Sequence, residues 1–255
     1  MTAAAPATQL PARPRTSTLD RSTLMQLAAT EYDRFASMLG ALSEEDWTRA
    51  TDCPGWDVRT MASHVLGMAE MAASVRQCVR QARRAKKRGG VFIDALTAVQ
   101  VEARTNMSAQ QVTARMRLVG PRAARARRRI PSVVRNRRLP IPQPVGGHDE
   151  DWTIGYLTDT ILTRDTWMHR IDISRATNRP IELSAGHDGA LTSDVANEWA
   201  ARHGASCELH LTGVAGGNWS FGTGGPSVEL DAIDFNRTVS GRESGRDLLQ
   251  TAVPF

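Results

Sequence analysis

Cysteine is nearly absent from this chain of 255 residues. Cys53, Cys78 and Cys207 are an odd set without paired spacing, which argues against a disulfide framework and for a reducing, cytoplasmic compartment. Long apolar runs are missing too, and none approaches the ~20 residues of a membrane span. Residues 1–17 are rich in Ala, Pro and Thr but contain no apolar signal core, so the expectation is a disordered tail. Acidic residues vanish between Ala103 and His148, where eleven arginines run from Arg104 to Arg138; the rest of the chain is net acidic. A basic segment on an acidic body suits nucleic acid or an anionic surface. The same interval holds no aromatic residue, so bases would find no stacking platform. A solvated helix face and its loop explain Arg115 to Arg138 better than nucleic-acid binding does. The glycines from Gly213 to Gly225 follow no phosphate-loop pattern, and no internal repeat is visible.

What is present is helical periodicity. Leu24, Leu27, Ala28, Tyr32, Phe35, Met38 and Leu39 recur at three- and four-residue steps, predicting an amphipathic helix from Leu19 to about Leu42. Ser43 and Asp46 offer a capping box, and Pro54-Gly55 breaks the chain before Asp57 caps a second helix running to about Ala85. A third helical region spans Ser108 to Arg129, interrupted near Gly120-Pro121. Prolines and glycines from Pro131 to Gly147 predict a connection without periodic structure. A fourth helix starts near Trp152-Thr153 and stops near Asn178-Arg179-Pro180.

Beyond Pro180 the texture changes. Ala190 to His203 reads as a helix, and Glu208 to Thr212, Trp219 to Phe221 and Val228 to Leu230 alternate with period two. Ala232 to Val239 and Gly245 to Thr251 read as short helices. The expectation is a four-helix bundle over 18–179, followed by a small α+β domain with an antiparallel sheet over 180–255.

Two histidines carry the chemistry. Asp165 and His169 are four apart, so both leave one helix face. Arg164 and Asp172 fall on the same stripe as Leu157, Ile161 and Met168, and His64 sits between Met61, Val65 and Met68. Ionisable groups on core-facing stripes are costly unless they pair or bind something. His64, Asp165 and His169 together would make a three-ligand metal site with an open position, the arrangement of catalytic zinc; nickel, cobalt or iron also accept these donors. Asp172 or Arg164 would stand behind the ligands. Spacing alone equally allows an intrahelical Asp–His pair. Cys53, just before a helix start, invites a nucleophile reading, although its Pro-Gly-Trp context favours packing. Trp47, Trp56 and Trp167 read as core anchors, and His148, His187, His203 and His210 as incidental.

The segments Leu42-Ser43-Glu44-Glu45-Asp46-Trp47 and Thr51-Asp52-Cys53-Pro54-Gly55-Trp56-Asp57-Val58-Arg59, with His64, resemble the amino-terminal domain of the mycothiol-dependent maleylpyruvate isomerase family, one of the DinB-like metal-binding four-helix bundles. The run from Gly213 to Trp219, and that from Asp231 through Asn236-Arg237 to Ser240-Gly241-Arg242, resemble the family's second domain. The resemblance covers nearly the whole chain after about Thr18. It implies that His64, Asp165 and His169 hold a divalent metal, zinc first, with Asp165 where better-known members have the longer Glu. It further implies mycothiol as thiol cosubstrate and an isomerase or thiol S-transferase acting on a small electrophile. Arg237 or Arg242 would clamp a substrate carboxylate. The competing reading is a noncatalytic binding or regulatory protein on the same scaffold.

Overall fold

The computed structural model describes residues 15–255. Most of the expected tail lies outside that range, but Ser17 is held by its hydroxyl, which donates to Asp194 at 2.6 Å. Among the described residues no helix is long and apolar enough to cross a membrane.

Four helices form the bundle: α1 (Arg21–Ala41), α2 (Val58–Ala73), α5 (Ala109–Arg128) and α7 (Leu162–Thr177). Each of the first three starts at a residue that satisfies its orphan amides. Asp20 accepts from Thr23 N, Asp57 from Thr60 N, and Ser108 forms a reciprocal box with Gln111. Phe35, Met61, Val65, Leu66, Val112, Met116 and Ile173 fill the space between them. Pro121 lies inside α5 without ending it. Its neighbour Gly120 lets α1 approach, because a Cβ there would sit 3.0 Å from the Tyr32 side chain.

Between α2 and α5 lie two helices outside the four. The second helix does not continue to Ala85: Ser74 adopts extended backbone, ends α2 and caps α3 (Val75–Arg88) through Gln77 N. Then comes α4 (Phe92–Glu102), which periodicity did not disclose because no side chain caps its start at Val91. After the single turn α6 (Ser132–Arg135), β1 (Gln143–Val145) and β2 (His148–Glu150) pair antiparallel. This hairpin replaces the structureless connection expected there; its strands are three residues each, too short to show alternation. The helix leading to α7 passes through a π-helical stretch, Tyr156–Ile161.

The smaller region has α8 (Ala190–His203), β3 (Cys207–Thr212), β4 (Gly217–Phe221), β5 (Ser227–Asp231) and α9 (Ala232–Val239). Its sheet has the order β4-β3-β5. β4 is antiparallel to β3 but β5 runs parallel to it, so the sheet is mixed rather than purely antiparallel. Alternation identifies strands and leaves the direction of pairing open. Cys207, Leu209 and Leu211 point from β3 onto Val195, Trp199 and Phe235. Toward the C-terminus, Asp247–Gln250 forms a 3₁₀ turn.

Arg164 ties the two regions together. It is fully buried and reaches Asp194 and Glu198 on α8, each at 2.7 Å, and the Pro254 carbonyl at 3.3 Å. It therefore does not share the face of Asp165 and His169. The arginine-rich stretch is also partly internal. Arg127 is buried and donates to the Thr158 carbonyl and the Thr163 hydroxyl, Arg104 and Arg115 meet Glu70, and Arg135 meets Asp159.

Candidate metal centre

His64 from α2 and His169 from α7 face each other across the bundle, with ring centroids 5.4 Å apart and edge to face. Asp165 lies between them. Its Oδ1 is 3.6 Å from His64 Nε2 and 3.3 Å from His169 Nε2. One donor atom from each of the three lies within 4.8 Å of the others. Asp165 Oδ2 is buried without a hydrogen-bond partner, and among the described residues it is the one carboxylate oxygen so left.

A second layer sets the orientation. Asp172 Oδ2 is 3.3 Å from His169 Nδ1, which leaves Nε2 for the centre. Thr97 on α4 places its hydroxyl 3.5 Å from His64 Nδ1. Trp56 packs on both imidazoles, at 5.3 and 5.8 Å; it is a wall of the site, whereas Trp47 and Trp167 are buried core anchors. Burial disfavours charge on Asp165, yet the two imidazoles hold its carboxyl well below the usual carboxylate range. Burial likewise opposes charge on His169, and Asp165 and Asp172 override it and raise its pKa.

Arg242 and Arg237 both reach Asp172, from opposite depths. Arg242 Nε is 2.9 Å from each Asp172 oxygen, and one of its terminal nitrogens is 3.4 Å from His169 Nδ1. Its side chain lines the cavity above the donors. Arg237 is 2% exposed and engaged by Asp52, Asp172 and Glu243; it does not line the cavity. Cys53 Sγ lies 3.8 Å from Asp172 Oδ2. Burial and the neighbouring Asp172 push this thiol up to about 11, so at neutral pH it is a protonated donor and not a ready nucleophile. His187 does not line the cavity and is buried 2.8 Å from Glu31.

The cavity holds about 380 Å³ and reaches from His64, Asp165 and His169 to the β1–β2 hairpin and the last residues of the chain. Thr97, Trp152, Gln143 and Phe255 belong to its wall. Nothing in their spacing tied them to His64, because α4 and the hairpin that bring some of them there were not legible in the sequence.

The residues present fit a divalent cation. Two imidazole nitrogens and a carboxylate converge, one carboxylate oxygen lacks any other partner, and a second carboxylate holds the far side of a ligating ring. That histidine–carboxylate arrangement is the usual support of a protein metal ligand. Glu would carry the carboxylate one methylene further, yet Asp165 already stands within 3.6 Å of both rings.

The class defined here is a helical bundle that gathers metal-type donors from facing helices beneath a small mixed-sheet domain. More particularly, the chain belongs to the mycothiol maleylpyruvate isomerase N-terminal domain family, whose profile matches residues 28–174. The fold is similar to the crystal structure of the mycothiol-dependent maleylpyruvate isomerase, with 13% identity and a TM-score of 0.57 over 90% of this chain and 93% of that one. A histidine-to-alanine mutant of that isomerase superposes with a TM-score of 0.54 at 12% identity, with the same coverage. None of the curated proteins matches this sequence.

Proposed function

We propose that this protein is a metal-dependent, mycothiol-using enzyme, an isomerase or thiol S-transferase acting on a small electrophile. The observation that carries the reading is the convergence of His64, Asp165 and His169 with one buried carboxylate oxygen unpartnered. Zinc is the metal these donors suit first. A bound divalent cation would favour the thiolate form of a thiol at its open position.

The chain's own residues then do the rest. Asp172 accepts from His169 Nδ1 and keeps Nε2 directed at the centre. Trp56 covers both imidazoles and excludes water from that side. Arg242, at the cavity wall, faces an anionic group of the electrophile, such as a carboxylate. Arg237 is a positioning residue: it anchors Asp172 to Asp52 and Glu243 from below. In the transferase reaction the sulfur–carbon bond forms as the electrophile's leaving group departs with its electron pair. In the isomerase reaction the sulfur adds to a double bond, the substrate rotates, and the sulfur is expelled.

Metal analysis of the purified protein tests the first half: one divalent ion per chain is expected, lost in His64→Ala. Thiol consumption with a panel of electrophiles tests the second, because a transferase consumes mycothiol and an isomerase returns it. A protein without stoichiometric metal and without change in stability on chelation would be a noncatalytic binding protein on this scaffold.

A further inference from the structure

We infer that the acceptor cavity selects an apolar electrophile, aryl or branched aliphatic, that carries at most one negative charge. The inference rests on the functional reading above for the word electrophile, and on the cavity walls for everything else.

Those walls are mainly hydrocarbon and indole. Met68 and Ile93 come from the α2 and α4 side, Trp152 and Leu157 from the approach to α7, and Val253 and Phe255 from the end of the chain. At about 380 Å³ the space takes a substituted ring. Arg242 is the one Lys or Arg in the lining. Its charge is already met by Asp172, which Arg237 shares. The side chains of Ser240, Gln143 and Thr97 in the wall are also engaged. The Ser240 hydroxyl donates to the Arg237 carbonyl and accepts from Arg242, Gln143 donates to the Ile141 and Pro142 carbonyls, and Thr97 faces His64.

One carboxylate can take the outer edge of the Arg242 guanidinium. A second would enter a largely apolar space whose lining holds no further Lys or Arg, and a buried charge without a counter-charge is strongly disfavoured. The substrate class is thus hydrophobic and neutral or monoanionic. A compact dicarboxylate, whose charges stand at both ends, matches this cavity poorly.

The test uses unreactive probes on the zinc-loaded protein with mycothiol present. 3-Phenylpropionamide, 3-phenylpropionate and phenylsuccinate are titrated by quenching of tryptophan fluorescence, with Trp152→Phe confirming that the signal arises in the cavity. Phenylpropionate is expected to bind at least as tightly as the amide, and phenylsuccinate about tenfold or more weaker than the monoanion. Arg242→Gln should remove the advantage of the monoanion over the amide, and Arg242→Lys should restore part of it. Phenylsuccinate binding as tightly as phenylpropionate, or succinate binding better than either, overturns the inference. A protein that holds metal and consumes thiol but prefers the dianion loses this inference and keeps the functional reading. One that keeps the affinity order but neither holds metal nor uses thiol loses the functional reading alone.

Discussion

Among the buried polar clusters on helix α7, two differ in one respect. On one side Arg170 reaches Glu31 at 2.6 Å, Asp188 at 2.9 Å and the Glu182 carbonyl at 2.8 Å. His187 and Trp167 complete it by bonding Glu31 and Asp188. On the other side, one turn away, Asp165 stands between two imidazoles with an oxygen that no group satisfies. Both clusters are ionic, buried and rich in Asp and His. The first is closed, with each charge met by protein, and it fastens α7 to α1 and to the segment before α8. The second is open. What separates the structural network from the candidate metal centre here is a carboxylate oxygen left without a protein partner, not the residue types.

Acid should break the closed ion pairs of α7 most broadly, those of Arg164 included. Asp188, Asp194 and Glu198 are all opposed by burial but held below the ordinary carboxylate range, Asp188 by the Ser184 amide and Arg170, the other two chiefly by Arg164. As pH falls, the unfolded chain takes up protons before the folded one. The stability these groups contribute is therefore complete above the ordinary carboxylate range near pH ~4 and is lost below it. Thermal unfolding of metal-free protein followed downward from about pH 5 should show a fall in the midpoint beginning near that range. Arg170→Ala should be the most damaging single change. It takes the guanidinium from Glu31 and Asp188 in the interior and is expected to cost about 3 kcal/mol by denaturant unfolding, while metal per folded chain stays the same.

The open set behaves differently. Chelation should lower stability by about 3–4 kcal/mol if the metal was present at 100 to 1,000 times its dissociation constant, and adding zinc back should restore the unfolding midpoint. Asp172→Asn should weaken metal retention about 10- to 100-fold in a chelator competition, because it loosens His169 rather than removing a ligand. Asp165→Asn should abolish retention yet move the stability of the metal-free protein by no more than about 1 kcal/mol. If it destabilises the metal-free fold as much as Arg170→Ala does, the two clusters are of one kind and the distinction fails.

Much of this was legible in the sequence, and unevenly so. Leu24 to Leu39 and Leu157 to Ile173 announce their helices because packing repeats at helical steps. α4 stayed hidden because Val91 caps nothing and Gly89-Gly90 reads only as a stop. The hairpin stayed hidden behind its prolines. Pairing His64 with Asp165 and His169 followed from their faces, and the three do converge. Arg164 shows the limit of that reasoning: it precedes Asp165 by one residue, and one residue is about 100° of helix, enough to send it to Asp194 and Glu198 instead. His187 had no periodic partner because Glu31 lies 156 residues away.

The π-helical stretch Tyr156–Ile161 gives the centre an unusual vulnerability. Upstream of it the chain is fixed where Gly155 lies flush against Arg135: a Cβ at this position would sit 3.1 Å from the Arg135 carbonyl oxygen. Downstream it is fixed by Arg170. Between these clamps the wide turn works as a phase shifter for everything that follows. That turn already takes up one residue more than an α-turn would, and inserting another there would leave His64, Asp165, His169 and Arg242 all present in the gene product. It would also turn the downstream thread by about 100° against the upstream one, so that either the hairpin or the donor triangle loses its alignment. The alignment of the candidate donors thus depends on a tally of residues as well as on their identity, and a frame-preserving insertion of one codon can undo it without touching a donor.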